Sequence, residues 1–167
     1  MKEKFIREDV DFYSSGTRCS AWLYLPTGDR KCSVIVMAHG LGGVREMRLN
    51  TYAERFSAAG YACFLFDYRY YGASDGQKRQ RINVKEQLAD WAGAISFVKK
   101  CDKVDGSKVL LFGSSFSGGH VITLSSKRKD ILAAVAQCPY TNTLATLGTL
   151  SPLSAVKTIP LVIADLL

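Results

Sequence analysis

The sequence predicts an α/β domain: a mainly parallel sheet with helices on both faces, preceded by an antiparallel hairpin. Three observations carry that prediction. Short continuous apolar runs at Ser33–Ala38, Tyr61–Phe66 and Val109–Phe112 have the character of strands covered on both sides. Segments with helical periodicity lie between them, and strands alternating with helices build parallel sheets. Two extended runs, residues 5–13 and 18–25, flank Ser14-Ser15-Gly16-Thr17, a turn that sets them antiparallel.

Taken in order, Pro26-Thr27-Gly28-Asp29 closes the hairpin, and the Ser33–Ala38 strand follows. A helix is expected from about Met47, with Tyr52, Phe56 and Ala59 on one side and Gly60 as its stop. The next strand, Tyr61–Phe66, leads to a helix over Val84–Lys99. Its Val84, Leu88, Trp91, Ile95 and Val98 recur at spacings of four and three. The strand ending at Phe112 gives way to a helix running to about Ser126, and a last strand spans Leu132–Gln137. Residues 1–140 form the core. Residues 141–167, with Pro152 and Pro160 separating short apolar segments, are expected to begin a cap or lid, or to form a tail.

A length of 167 residues suits one domain, and 47 % hydrophobic with 22 % charged residues is ordinary for a soluble globular protein. The net charge of +7 comes from clusters such as Lys78, Arg79, Arg81 and Lys127-Arg128-Lys129. These fall at helix ends and in loops without interleaved aromatics, so nucleic-acid binding is not expected. The N-terminus lacks the apolar core of a signal peptide, and no apolar run approaches the ~18 residues of a membrane helix. The five cysteines are odd in number and widely spaced. They are expected to be buried free thiols in a reducing cytoplasm, not a disulfide or zinc framework. No metal or organic cofactor is implied.

The chemistry concentrates at Val109-Leu-Leu-Phe-Gly-Ser-Ser-Phe-Ser-Gly-Gly-His120. An apolar strand meets a cluster of small residues there and a helical pattern follows, the layout of a nucleophile elbow. Strand and helix pass close together at such a turn, so residues two before and two after the nucleophile must be small. Ser115, between Gly113 and Ser117, and Ser117, between Ser115 and Gly119, both satisfy this. The strand stops at Phe112, which centres the turn on Ser115; Ser117 then stands where a glycine is usual. A second loop, His39-Gly-Leu-Gly-Gly43, directly follows a strand. It is either a glycine-rich turn into a helix or an oxyanion hole. With Ser115 as nucleophile, the donors are the N–H groups of Leu41 and Phe116, facing one small cavity at Ser115 Oγ. The third loop is Asp67-Tyr-Arg-Tyr-Tyr-Gly-Ala-Ser-Asp-Gly76.

All three loops, in this order, resemble the α/β-hydrolase superfamily over about residues 18–140, with its serine esterases and Xaa-Pro dipeptidyl-peptidase-like branch as the nearest groups. The resemblance implies attack by Ser115 on the ester or amide carbonyl of a small molecule through an acyl-enzyme, with Leu41 and Phe116 at the oxyanion. It also implies that Asp67 and Arg69 order a loop and stand outside the triad. Tyr70 departs from the glycine often found there, with no chemical consequence expected. In this family the triad runs serine, acid, histidine along the chain. After Ser115 the sequence has only Asp130, Asp165 and His120 to offer. His120 sits five residues along a helix and is expected to face away. His39 is the one substitute base at the same sheet edge. The expected fold is therefore an incomplete α/β-hydrolase lacking its last strands, either a serine hydrolase with its triad unfinished or a non-catalytic relative that binds small acyl compounds. Its last strand would be an exposed edge open to self-association.

Overall fold

A computed structural model of the chain describes residues 5–28 and 30–142, together with 151, 153, 154, 156, 157 and 160. β1 (Phe5–Ser14) and β2 (Thr17–Pro26) form the hairpin, with Ser14 opposite Thr17. Its two turn residues, Ser15 and Gly16, have φ of 49° and 82°. Positive φ at both positions is the turn whose twist matches the strands it joins. β3 (Ser33–Ala38), β4 (Ala62–Phe66), β5 (Asp105–Ser114) and β6 (Ala133–Gln137) follow, and the sheet order is β1-β2-β4-β3-β5-β6. β4, β3, β5 and β6 pair parallel, while β2 joins β1 and β4 antiparallel.

Alternation along the strands divides the core in two. Val34, Val36, Ala38, Phe64, Phe66, Val109 and Leu111 face α2 (Val84–Lys100) and α3 (Phe116–Lys127). Ile35, Met37, Cys63, Leu65 and Phe112 face α1 (Leu49–Ala58) on the other side. α1 ends before Gly60, whose φ of 95° breaks the helix as expected. Its buried line is Leu49, Ala53 and Ser57, and not the aromatic side foreseen. Tyr52 and Phe56 instead lie along its flank against Phe112, Tyr52 being 41 % exposed. Small residues let this helix approach the sheet more closely than rings would.

α2 starts at Asn83, whose side chain accepts the Glu86 N–H. Trp91, Ile95 and Val98 are buried as expected, but Val84 is 50 % exposed. Polar Gln87 and Asp90 share the buried face. Among the described residues all cysteines are free thiols. Cys19 and Cys63 are buried, and burial pushes both thiols up to about 12. Cys138 departs from the expectation and is exposed, because it follows β6 at the edge of the described sheet. No described helix is long and apolar enough to cross a membrane. The expected cap falls almost wholly outside the described residues.

Candidate active site

Chain order reverses at β3, since the sheet grows to β4 on one side and to β5 and β6 on the other. Ligand sites gather beyond the carboxyl ends of strands at such a switch point. Ala38 pairs with Gly113, and Ser114 with Gln137. The loops after β3, β5 and β6 are therefore neighbours.

Ser115 stands at the turn between β5 and α3 with φ 55° and ψ −115°, a region L-residues rarely occupy. It is exposed and its side chain makes no helix-capping bond. Ser117 is fully buried on the inner side of the turn. The sharp turn thus presents Ser115 and hides Ser117. Gly113 is needed because a Cβ there would overlap the backbone of Ser117, where helix crosses strand. Ser115 N–H donates to Gln137 C=O (2.9 Å) and Ser115 C=O accepts from Tyr140 N–H (2.9 Å), so the segment after β6 braces the turn.

The glycine loop lies directly on Ser115. A Cβ on Gly40 would stand 3.0 Å from Ser115 Cβ and 3.5 Å from Oγ, so only glycine allows this approach unforced. Gly40 C=O accepts from His39 Nδ1–H (2.9 Å) and from Gly43 N–H (3.3 Å). A trans peptide points its N–H opposite its carbonyl, which turns Leu41 N–H away from the His39 ring. Leu41 lines a cleft of about 430 Å³ with Met47, Arg48, Tyr52 and Cys138. Phe116 lines a second, of about 390 Å³, with His120 and Tyr140.

Neither histidine is placed as a base for Ser115. His39 is 5 % exposed. Its Nδ1 holds Gly40, and its Nε2 is 3.9 Å from Asp67 Oδ1. Burial pushes its pKa below the usual histidine value. His120 Nε2–H donates to Gln87 Oε1 (2.8 Å) on α2, and burial pushes the ring's pKa down to about 4. Asp130 is taken by Lys99 and Arg128 at the far end of α3.

Over residues 33–157 the chain matches the alpha/beta hydrolase fold family. It belongs to that family. It is 45 % identical over 157 residues to the quorum-quenching protein AidA of Acinetobacter baumannii (strain MDR-ZJ06), a match over 94 % of this chain and 52 % of the relative. The thiohydrolase aneE of Aspergillus aculeatus is 32 % identical over 132 residues, 78 % of this chain and 41 % of its own. The crystal structure of the alpha/beta hydrolase GrgF from Penicillium sp. sh18 superposes with a TM-score of 0.80 at 25 % identity, over 96 % of this chain and 53 % of that one. The chain spans about half the length of the curated relatives it matches.

The rest of the candidate site is a buried polar framework. Asp67, 2 % exposed, accepts Arg45 N–H (2.7 Å) and Ala73 N–H (3.1 Å), tying the glycine loop to the loop after β4. Gly72 passes so close that any side chain would strike that carboxylate. Arg45 stacks on Trp22 at 4.6 Å and donates to Ser20 Oγ (2.8 Å). Arg69 pairs with Asp90 of α2 and donates to Ser14 Oγ (2.7 Å). Tyr70 has a φ of 72°, so an aromatic residue occupies a left-handed position that suits the usual glycine. Sequence reasoning missed Asp90 and Gln87. Their signal was present, since a carboxylate and an amide fall at buried helical spacing beside Trp91, Ala94 and Ile95.

Proposed function

We propose that Ser115 is the nucleophile of an acyl hydrolase or transferase, attacking the ester or thioester carbonyl of a small molecule to form an acyl-enzyme. The observation that supports this most is the exposed, strained Ser115 with Gly40 in contact. Leu41 N–H and Phe116 N–H would stabilise the oxyanion, the larger part of catalysis at such sites. The thiohydrolase relative favours a thioester carbonyl. None of the three relatives named above is called a peptidase, so amide cleavage of the Xaa-Pro dipeptidyl-peptidase kind is the weaker choice. The acid and base would come from segments that these longer relatives carry and the described residues do not. The free cysteines favour a reducing, cytoplasmic setting.

Hydrolysis of p-nitrophenyl acetate and of an acyl thioester by the 167-residue chain tests this. Turnover is expected to be feeble, a residual ~10³–10⁴-fold over water that oxyanion donors and binding supply and that Ser115→Ala changes little. Robust saturable hydrolysis would show that His39, or another group bonded elsewhere, serves as base after all. Robust turnover indifferent to Ser115→Ala, or an acyl group trapped on a residue other than Ser115, would remove the nucleophile assignment. A second reading, a non-catalytic member that binds acyl compounds, is favoured by the engagement of both histidines. It predicts ligand binding with no acylation of Ser115.

Self-association through β6 is proposed as well. No further strand pairs with β6 among the described residues. Leu132 and Val135 are 65 % and 55 % exposed beside an apolar groove of about 190 Å³.

A further inference from the structure

A line of hydrogen bonds runs beneath the elbow and ends on the glycine loop. Trp91 Nε1–H donates to the Tyr68 hydroxyl oxygen (2.8 Å), Tyr68 bonds Ser117 Oγ, and Ser117 Oγ–H donates to His39 C=O (2.5 Å). Its direction is fixed by its ends, because an indole N–H only donates and a carbonyl only accepts. One hydrogen is available for each link, so Tyr68 must donate to Ser117. All four residues are buried, at 5 % exposure or less. Burial also pushes the Tyr68 phenol up, which keeps its proton in place as a donor.

We propose that the Ser117 hydroxyl is a positioning group for acyl transfer, fixing the His39 carbonyl and through it the height of the glycine loop over Ser115. This rests on the reading of Ser115 as nucleophile. The physical case is one of consecutive peptides. His39 C=O is held by Ser117, which fixes the plane of the His39–Gly40 peptide. Gly40 C=O is held by His39 Nδ1–H and Gly43 N–H, which fixes the plane of the next. Leu41 N–H belongs to that second plane, so its direction is set by two anchors in series. A glycine at 117 would supply neither the first anchor nor a partner for the Tyr68 hydroxyl. The serine that departs from the usual glycine is thus used here. An oxyanion donor acts only within a few tenths of an ångström of its correct place, so a loosened loop weakens the transition state more than substrate binding.

The test is the rate at which a fluorophosphonate reagent modifies Ser115 at alkaline pH, where hydroxide supplies the deprotonation that neither histidine is placed to perform, followed by peptide mass spectrometry. Ser117→Ala and Ser117→Gly are expected to slow modification at least about tenfold, with little change in the reagent concentration giving half-maximal rate. Tyr68→Phe keeps the Ser117–His39 bond and orphans Trp91 Nε1–H, so it should destabilise the fold yet slow modification by less than about threefold. A purely structural role would instead rank the variants by stability. Equal rates in wild type and Ser117→Ala overturn the proposal while leaving Ser115 as nucleophile. A wild type modified at some other residue overturns the nucleophile reading itself. If neither Ser117 variant folds, proton NMR of the wild type decides. A slowly exchanging Ser117 hydroxyl with a cross-peak to the His39–Gly40 backbone supports the anchor, and its absence under conditions that show Trp91 Nε1–H overturns it.

Discussion

Asp90→Ala tests how the loop after β4 is held beside the elbow. The Asp90 carboxylate is fully buried. Arg69 meets it three times, through N–H at 3.0 Å, Nε at 2.8 Å and Nη2 at 2.7 Å, and the Ser14 side chain hydrogen-bonds it as well. Truncation leaves a guanidinium only 7 % exposed, with Ser14 Oγ as its remaining side-chain partner. Breaking one side of a buried pair costs about 3–5 kcal/mol, from a total of about 5–15 kcal/mol for a domain. At this chain length each kcal/mol moves the midpoint by about 2–4 °C, so Tm is expected to fall by roughly 6–20 °C. Circular dichroism melts and urea titrations measure it, and Asp90→Leu and Arg69→Met, alone and combined, form a double-mutant cycle. The double replacement should recover most of the loss, because no charge is then left buried. Lys103 and Glu8 provide the control: their 2.6 Å pair is as short but stands in solvent, with side chains 49 % and 31 % exposed. Lys103→Ala should leave Tm unchanged. If Asp90→Ala moved Tm no further than Lys103→Ala, burial would not be what gives the inner pair its weight.

Burial disfavours the charged form of His120 and pushes its pKa in the fold down to about 4, from the usual 6.5. The unfolded chain therefore binds the extra proton between those values. Stability contributed by this group is complete above about pH 6.5 and falls on acidification at up to ~1.4 kcal/mol per pH unit. Urea titrations at pH 7 and 4.5 should show a smaller loss for His120→Gln than for wild type, and parallel losses would contradict it. His39, lowered for the same reason, keeps part of the slope in the variant. At the β6 edge, light scattering should show concentration-dependent association that Val135→Lys reduces, since an edge charge blocks strand pairing. A monomer at all concentrations would mean the edge is covered.

Much of the fold was legible because its signals are local. Val34, Ile35, Val36 and Met37 alternate between two covered faces, which is why they read as a continuous apolar run. Ser15-Gly16, Asn83 and Gly60 act within a few residues of themselves, and each marks its turn or helix end where the sequence places it. The choice of Ser115 over Ser117 came from the end of the apolar run at Phe112; β5 itself runs on to Ser114, and the structure puts the positive φ and the exposure on Ser115.

What the sequence could not provide was the pairing of groups far apart along the chain. It determined the alternation of strands and helices, the elbow and the glycine loop, since each is encoded by periodicity or by small residues at fixed spacing. Only the tertiary structure joined Arg69 to Asp90, Asp67 to Arg45, and Trp91 through Tyr68 and Ser117 to His39. Only the tertiary structure turned His39 and His120 to other partners and away from the role of base. A buried polar group must find a hydrogen-bond partner or lose its solvation energy. Which partner it finds depends on which elements the sheet order brings together, and no local pattern records that.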